Sequence, residues 1–196
     1  MEVVKSKILG LSLAILGWIG AIVVCALPMW KVTTTVRLFP AAESITKWEG
    51  IWKSCKNSTG EKLCEIQDYS TLSSDLQAAR PLCIIVIVMG GLGLLFFIVG
   101  AKCCDQVIKV SGCTFICAAV LLFIPVCWAA YSTIKAFFKP VTSPGIIEVT
   151  NPIGVSLYLG WASSALLFGG GSILGCSCLS ASVLDFVVKT GTALLS

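Results

Sequence analysis

The sequence contains no histidine, and charged residues make up only 12% of its 196 positions. It therefore lacks the side chains that most often carry acid–base catalysis or bind transition metals. We expect no enzymatic activity, no metal, no cofactor and no nucleic-acid partner. Hydrophobic residues, by contrast, make up 57% of the chain, and the mean hydropathy is +0.95. This composition excludes a water-soluble domain and predicts an integral membrane protein.

Four long stretches carry no charged residue, and each reaches the ~20 residues that a membrane-spanning helix needs. The absence of charge within them also argues against an ion path through a single bundle. Glycine and alanine pairs four residues apart, such as Gly10 with Ala14, Gly17 with Ala21 and Gly171 with Gly175, predict close helix packing. The predicted organisation is an N-terminus at 1–7, helices at 8–30, 81–101, 110–134 and 153–176, loops at 31–80, 102–109 and 135–152, and a tail at 177–196.

The charges flanking these helices give conflicting signals about orientation. The loops at 31–80 and 135–152 hold nine Lys and Arg residues against five elsewhere, which taken alone places those loops in the cytoplasm. Lys5 and Lys7, however, directly precede the first helix, which usually dominates orientation. The first loop also contains two cysteines and the glycosylation sequon Asn57-Ser58-Thr59, which suit an oxidising compartment. We therefore predict extracellular loops and two cytoplasmic termini.

Cys55 and Cys64 flank a polar turn-forming segment in the first loop. A hairpin would bring them within bonding distance, so we predict a disulfide, with two free thiols as the alternative. The other nine cysteines lie in predicted helices or at their ends, where they act as small apolar residues. β-branched and hydrophobic runs predict antiparallel strands near Trp30–Phe39, Ile45–Lys53 and Leu63–Asp68.

The first loop and its borders contain Trp30, Gly50-Ile51-Trp52, Cys55, Cys64 and Arg80. This pattern resembles that of the claudin family, with Ile51 in place of the usual leucine. The resemblance implies an α-helical membrane fold, with a left-handed four-helix transmembrane bundle and a small extracellular antiparallel sheet of five strands, four from the first loop and one from the second. It also implies a protein that joins other claudins in cis and in trans, forms tight-junction strands in the plasma membrane and controls paracellular ion permeability.

The resemblance suggests roles for particular residues. An acidic residue after the second cysteine is associated in claudins with cation preference, and here Glu65 holds that position with Asp68 nearby. The alternative is that Glu65 is a solvated strand residue of a sealing claudin. In the second loop, Phe137, Phe138 and Pro140 resemble the segment through which claudins on facing cells touch. The alternative is that an aromatic residue anchors the third helix at the membrane interface.

Two departures restrict which partners the resemblance implies. Lys139 replaces the family's asparagine in the segment that clostridial enterotoxin recognises, so enterotoxin binding is not expected. The sequence ends Ala193-Leu194-Leu195-Ser196 and lacks the terminal Tyr-Val through which many claudins bind PDZ scaffolds, so that attachment is not expected either.

Some cysteines of the chain are candidates for covalent attachment to a membrane lipid. Cysteines at the predicted cytoplasmic helix ends are candidates for S-palmitoylation, with unmodified cysteines as the alternative. They are Cys103, Cys104, Cys176 and Cys178.

A second class of protein shares part of the same pattern. Tetraspan auxiliary subunits and peripheral-myelin-protein-like chains also carry the tryptophan and cysteine signature, but they act on other membrane proteins. Tetraspanins fit less well because their large loop follows the third helix, whereas here it follows the first. Further segments resemble claudins and favour the junctional alternative, among them Ala26-Leu27-Pro28-Met29-Trp30 and Asp75-Leu76-Gln77-Ala78-Ala79-Arg80.

Overall fold

The computed structural model describes residues 2–37, 43–58, 61–137, 146–149 and 153–193. Within these residues the chain forms four long helices: α1 (Glu2–Ala26), α2 (Ser74–Lys102), α3 (Asp105–Phe137) and α4 (Val155–Ala193). Each contains a segment long and apolar enough to cross a membrane, namely Val3–Ala26, Ser74–Lys102, Gln106–Lys135 and Val155–Cys176. The prediction of a four-helix membrane protein is confirmed.

The helices extend beyond the predicted boundaries at several ends. Helix α2 begins at Ser74 and so includes Arg80, which the sequence analysis placed in the loop. Helix α4 continues past the predicted span through residues 177–193. The predicted boundaries followed the charge-free residues alone. A helix also tolerates charged residues near its ends, and an acidic residue in the first turn, such as Asp75, stabilises it.

In the described part of the chain, five strands form one antiparallel sheet: β1 (Lys31–Arg37), β2 (Glu43–Glu49), β3 (Lys53–Ser58), β4 (Glu61–Ile66) and β5 (Ile146–Val149). Their spatial order is β4-β3-β2-β1-β5, so β4 and β5 form the two edges of the described sheet. Four strands come from the first loop and one from the second, as the resemblance implied.

One predicted strand is divided in the structure. The sequence predicted a single strand over Ile45–Lys53, but β2 ends at Glu49 and β3 begins at Lys53. Between them the chain turns through Gly50, whose amide nitrogen bonds the carbonyl oxygen of Lys53 at 3.0 Å. The alternation of side chains alone does not reveal this turn, because tryptophan and isoleucine on either side also favour strands.

The chain divides into two compact units. The first consists of Met1–Ile19, Ile85–Leu121 and Ser163–Ser196 and is entirely helical within its described residues, apart from the short link between α2 and α3. In it, a Cβ added to Gly170 would lie 2.6 Å from the backbone of both Gly10 and Ala14, and one added to Gly171 would lie 2.7 Å from the carbonyl oxygen of Gly112. The small residues therefore permit the close helix packing that the sequence predicted.

The second unit consists of Gly20–Ile84 and Leu122–Ala162. It contains all five strands together with the adjoining ends of the helices. The motif residues of the first loop belong to this unit, which therefore holds the candidate site.

Candidate functional site

Trp30 connects the end of α1 to the sheet. Its side chain is completely buried, and its indole N–H donates a hydrogen bond of 3.0 Å to the carbonyl oxygen of Val24 in the last turns of α1. Its backbone N–H donates to the carbonyl oxygen of Glu49 at the end of β2, also at 3.0 Å. Because the indole nitrogen is bonded, the ring can be buried without leaving an unsatisfied donor. One residue therefore attaches both the helix and the strand.

Two glycines allow the neighbouring chain to close around this residue. A Cβ at Gly50 would overlap the backbone of Pro28, and a Cβ at Gly154 would overlap the carbonyl group of Met29 and lie 2.8 Å from the carbonyl oxygen of Trp30. Only glycine lets backbones approach this closely. The β2–β3 turn and the start of α4 therefore meet the segment 28–30 directly. Pro28, Met29, Trp30, Gly50 and Gly154 thus form one closely packed cluster, which we call the Trp30 cluster.

Arg80 on α2 holds the β2–β3 turn from the other side. Its Nε donates to the carbonyl oxygen of Ile51 at 2.7 Å, and its Nη2 donates to the carbonyl oxygen of Gln67 at 2.8 Å. The guanidinium carbon lies 5.3 Å from the ring centroid of Trp52 and 5.7 Å from that of Tyr69. Ile51 itself is completely buried. The motif residues predicted from the resemblance are thus brought together in one site.

A buried ion pair fixes the beginning of β1, and the sequence analysis did not predict it. The Nζ atom of Lys31 lies 2.6 Å from a carboxylate oxygen of Asp75, and Ser132 on α3 donates to that same oxygen at 2.7 Å. Lys31 also donates to the hydroxyl of Ser73 at 3.2 Å. A lysine at the start of a strand and an aspartate in the first turn of a helix were the available signals, but each is common at an exposed position. The folded structure brings the two groups into contact and leaves only 16% and 7% of their side chains exposed.

The disulfide between Cys55 and Cys64 is present, as predicted, and joins β3 to β4. Its Cα atoms are 4.1 Å apart, the separation typical of a non-hydrogen-bonded pair in an antiparallel ladder. Three positions farther along the same register, the backbone N–H of Gln67 donates to the carbonyl oxygen of Trp52. Because hydrogen-bonded and non-hydrogen-bonded pairs alternate along an antiparallel ladder, this bond is consistent with a non-hydrogen-bonded pair at Cys55 and Cys64. Alternate residues of β4 therefore direct their backbone N–H and C=O groups away from β3. These residues are Lys62, Cys64 and Ile66.

Glu65 lies on the opposite face of β4 from the disulfide. Its cross-strand neighbour on β3 is Ser54, and its side chain is exposed. Among the described residues, Lys47 forms an ion pair with Glu49, whereas Glu65 forms none. The carboxylate of Glu65 is thus not neutralised by a local lysine.

Asp68, the second predicted selectivity residue, is in a different situation. It precedes the 3-10 turn Tyr69–Thr71 and is already engaged in an interaction with another group. The structure therefore distinguishes the two acidic residues that the sequence analysis grouped together.

The structure describes only some of the remaining predicted residues. Phe137 is the last residue of α3, and Phe138 and Pro140 lie outside the described residues. Cys103, Cys104 and Cys176 are free and exposed in the first unit, and Cys178 lies in α4, where its side chain is not described. No cluster of three or more metal-binding side chains occurs in the part of the chain that the structure describes.

The chain matches known proteins over most of its length. A model of the PMP-22/EMP/MP20/Claudin family matches residues 4–174. The chain is similar to claudin-6 of Homo sapiens, with 41% identity over 89% of this chain and 82% of that protein. It is also similar to claudin-4 of Canis lupus familiaris, with 40% identity over 88% and 85%, and to the claudin-like protein ZF-A89 of Danio rerio, with 40% identity over 91% and 89%.

The geometry of Arg80 predicts that lysine cannot replace it. The ammonium group of lysine carries its three N–H donors on a single nitrogen, so it does not reproduce the fork in which Nε and Nη2 of Arg80 reach the carbonyl oxygens of Ile51 and Gln67. A hydrogen bond from a charged donor contributes about 1.5–3 kcal/mol, so we expect Arg80→Lys to reduce the stability of the second unit by about 2–4 kcal/mol. Thermal unfolding of the purified protein in detergent measures this as a lower midpoint temperature.

Lys135→Gln is the matched control for this prediction. Lys135 also lies over an aromatic ring, that of Tyr131 at 5.8 Å, but its side chain is exposed and donates no described hydrogen bond to the loop. An exposed contact of this kind contributes ~0.5–1 kcal/mol. Equal midpoints for the two variants would contradict the role assigned to Arg80.

Proposed function

Because the chain belongs to the PMP-22/EMP/MP20/Claudin family, we propose that its five-stranded sheet is the extracellular surface through which copies of the protein assemble into tight-junction strands and control the passage of ions between cells. Family membership identifies it as a multi-pass membrane protein of the tight junction, a structural protein that associates with claudins and not an enzyme. We propose below which residues of this chain join the copies and which determine the ion selectivity.

The proposed orientation places the second unit's sheet outside the cell and both termini in the cytoplasm. The Cys55–Cys64 disulfide supports it, because disulfides persist in oxidising compartments and are rare in the cytosol. The positions of Lys5 and Lys7 before α1 support it as well.

The exposed edge of β4 is the observation that carries the proposed assembly. Every residue of β4 is exposed, and the strand pairs only with β3 in the described sheet. An edge strand offers a row of backbone donors and acceptors that can pair with another chain. On β4 those groups belong to Lys62, Cys64 and Ile66. We propose that a second copy of this chain occupies that edge.

Proline at position 66 tests this edge directly. Ile66→Pro removes one outward N–H, whereas the bonds to β3 come from the alternate residues and remain. We expect the variant to reach the surface of transfected fibroblasts but to form few or no strands at cell contacts. Freeze-fracture microscopy counts the strands, and fluorescence measures enrichment at contacts.

Ile66→Ala is the control, because it removes the exposed side chain but keeps the backbone donor. This variant should form strands at a level near that of the wild type. If the proline and alanine variants behave alike, the outward backbone of β4 does not join the copies. Diffuse distribution of the wild type would instead favour the auxiliary-subunit alternative.

We also propose that Glu65 gives the ion path a preference for cations. The support is its exposed, unpaired carboxylate on the face of β4 that also carries Glu61. The opposing charge on the neighbouring strand is Lys56, which is exposed and faces Leu63 across the ladder. Because Lys47 is paired with Glu49, the two carboxylates on β4 outnumber the unpaired lysine on this face. Charges farther than ~8 Å from the path are screened at physiological salt.

Substitution of Glu65 should therefore change ion selectivity. A unit charge ~6 Å from a cation in water changes the local cation concentration roughly threefold. Because the same charge depletes chloride by a similar factor, we expect Glu65→Gln to lower the sodium-to-chloride permeability ratio by up to roughly tenfold and Glu65→Lys to lower it further. Dilution potentials across monolayers that express only this claudin measure the ratio.

Two lysine variants serve as controls for this experiment. Lys56→Gln should raise the ratio, because it removes the opposing charge on the same face. Lys62→Gln alters the opposite face of β4 and should change the ratio less. Unchanged dilution potentials in both Glu65 variants, with strands still present, would refute the role of Glu65 while leaving the assembly intact.

The other residues suggested by the resemblance extend this proposal. Phe137, Phe138 and Pro140 would contact a claudin of the facing cell, since Phe137 ends α3 and the other two lie between α3 and β5 in the sequence. Cys103, Cys104, Cys176 and Cys178 would accept palmitoyl groups, and the exposure of the first three supports this.

A further inference from the structure

A cavity lies on the face of the sheet that carries the disulfide. It encloses about 230 Å³, and its described lining belongs to the second unit. The lining residues come from the link between α1 and β1 and from three strands: Pro28, Met29, Trp48, Cys55, Lys62 and Cys64. Of these residues only the lysine is charged, and the other five side chains are apolar. Such a lining suits an apolar ligand that carries one anionic group.

The strand register places the lysine at one end of the apolar lining. Trp48 pairs with Cys55, which in turn pairs with Cys64, so the indole ring and the disulfide lie side by side on one face. Lys62 precedes Cys64 by two residues on β4, so it lies on the same face. At ~3.3 Å per residue, it lies roughly 7 Å nearer the turn between β3 and β4.

The opposite end of the cavity adjoins the membrane-spanning part of α1. Pro28 and Met29 belong to the Trp30 cluster, where Pro28 meets Gly50. Gly50 bonds Lys53, the residue at which β3 begins, whereas the β3–β4 turn follows the other end of that strand. The spanning segment of α1 ends at Ala26, directly before this cluster. An apolar chain that leaves the cavity past Met29 therefore reaches the lipid.

The two faces of the sheet differ in charge. Side chains alternate between the faces along each strand, so the register assigns every residue to one face. Among the strand residues whose side chains the structure describes, the cavity's face carries Lys53 and Lys62 and no carboxylate. The described carboxylates of the strands lie on the other face, namely those of Glu49, Glu61 and Glu65. Both lysines are exposed, and neither forms an ion pair with a described residue. The potential at the cavity therefore favours an anion.

We propose that the cavity binds the carboxylate end of a long-chain fatty acid, which enters from the membrane leaflet on the side of the sheet. The carboxylate pairs with Lys62, and the adjoining methylene groups pack against Trp48 and the disulfide. The volume of about 230 Å³ is below the ~300–1,000 Å³ of sites that enclose a drug-sized ligand. The cavity therefore encloses only the first part of the chain, and the remainder passes Met29 into the lipid. A phospholipid has two chains and a larger headgroup, so the small volume favours the single-chain carboxylate.

Photolabelling of the purified full-length protein in a non-ionic detergent tests this binding. The probe is a fatty acid with a diazirine in the carboxylate half of its chain, used at low concentration, and unlabelled oleate is the competitor. After irradiation and digestion, mass spectrometry should find the label on Met29 or Trp48, and oleate should prevent it. Lys62→Gln should raise the oleate concentration that halves the labelling by roughly tenfold or more, because it removes a charge-assisted hydrogen bond.

A matched lysine variant and a neutral probe are the controls. Lys56 is an exposed lysine on the other face of the neighbouring strand, so Lys56→Gln should leave the oleate concentration unchanged. A fatty alcohol with the same diazirine should label Met29 and Trp48 less than the acid does, and to the same extent in the wild type and in Lys62→Gln.

Two results would overturn the proposal. Equal competition by oleate in the wild type and in Lys62→Gln, or equal labelling by acid and alcohol, would show that no carboxylate pairs with this lysine. Absence of label from Met29 and Trp48 would remove the site altogether, including the case in which the purified protein is a dimer whose second copy covers the cavity. Because the protein is in detergent, the result does not depend on the side of the membrane on which the sheet lies.

Discussion

The burial of Trp30 is the constraint on which the rest of the second unit depends. The ring is buried at the point where the chain passes from α1 to β1, and its only polar atom bonds the carbonyl oxygen of Val24 in that helix. Gly50 and Gly154 bring two further segments against the same short stretch of backbone. A flexible connection between helix and sheet would let the sheet tilt, whereas this one fixes where β2 ends and β3 begins. The register in which β2 pairs with β3, and β3 with β4, then determines which backbone groups of β4 point outward and on which face Glu65 lies.

Charge in this unit is divided between groups that hold the fold and groups that can meet ions. Lys31 and Asp75 neutralise each other with little exposure to solvent, and Ser132 bonds the same carboxylate. Arg80 is committed to backbone carbonyls and two aromatic rings. Residues 31–80 hold seven basic and six acidic side chains, so their net charge is close to zero. The paired and the exposed charges are nevertheless unevenly distributed within them. The paired groups contribute little to the potential outside the protein, so the exposed unpaired groups on β4 set it.

Much of this fold could be predicted from the sequence, because the signals are local. The helices follow from apolar runs of spanning length, and the Cys55–Cys64 bridge follows from a turn-forming segment between two nearby cysteines. The turn at Gly50 could not be predicted, since it depends on contact with Pro28 from a distant part of the sequence. The same is true of the bond from Arg80 to Ile51 and of the pair Lys31–Asp75, which join residues far apart in the chain. The resemblance named Trp30 and Arg80 as important, but their bonding partners come only from the folded structure.

The proposed assembly and the proposed ion selection both require the sheet to lie outside the cell. The most direct measurement is antibody labelling of a short epitope inserted in the turn between β3 and β4, in intact and in permeabilised cells, with the same epitope between α2 and α3 as the control. Loop tips of this kind tolerate insertion. We expect the β3–β4 epitope to be labelled in intact cells and the control to be labelled only after permeabilisation. The reverse pattern would place the sheet in the cytoplasm and contradict the proposed orientation.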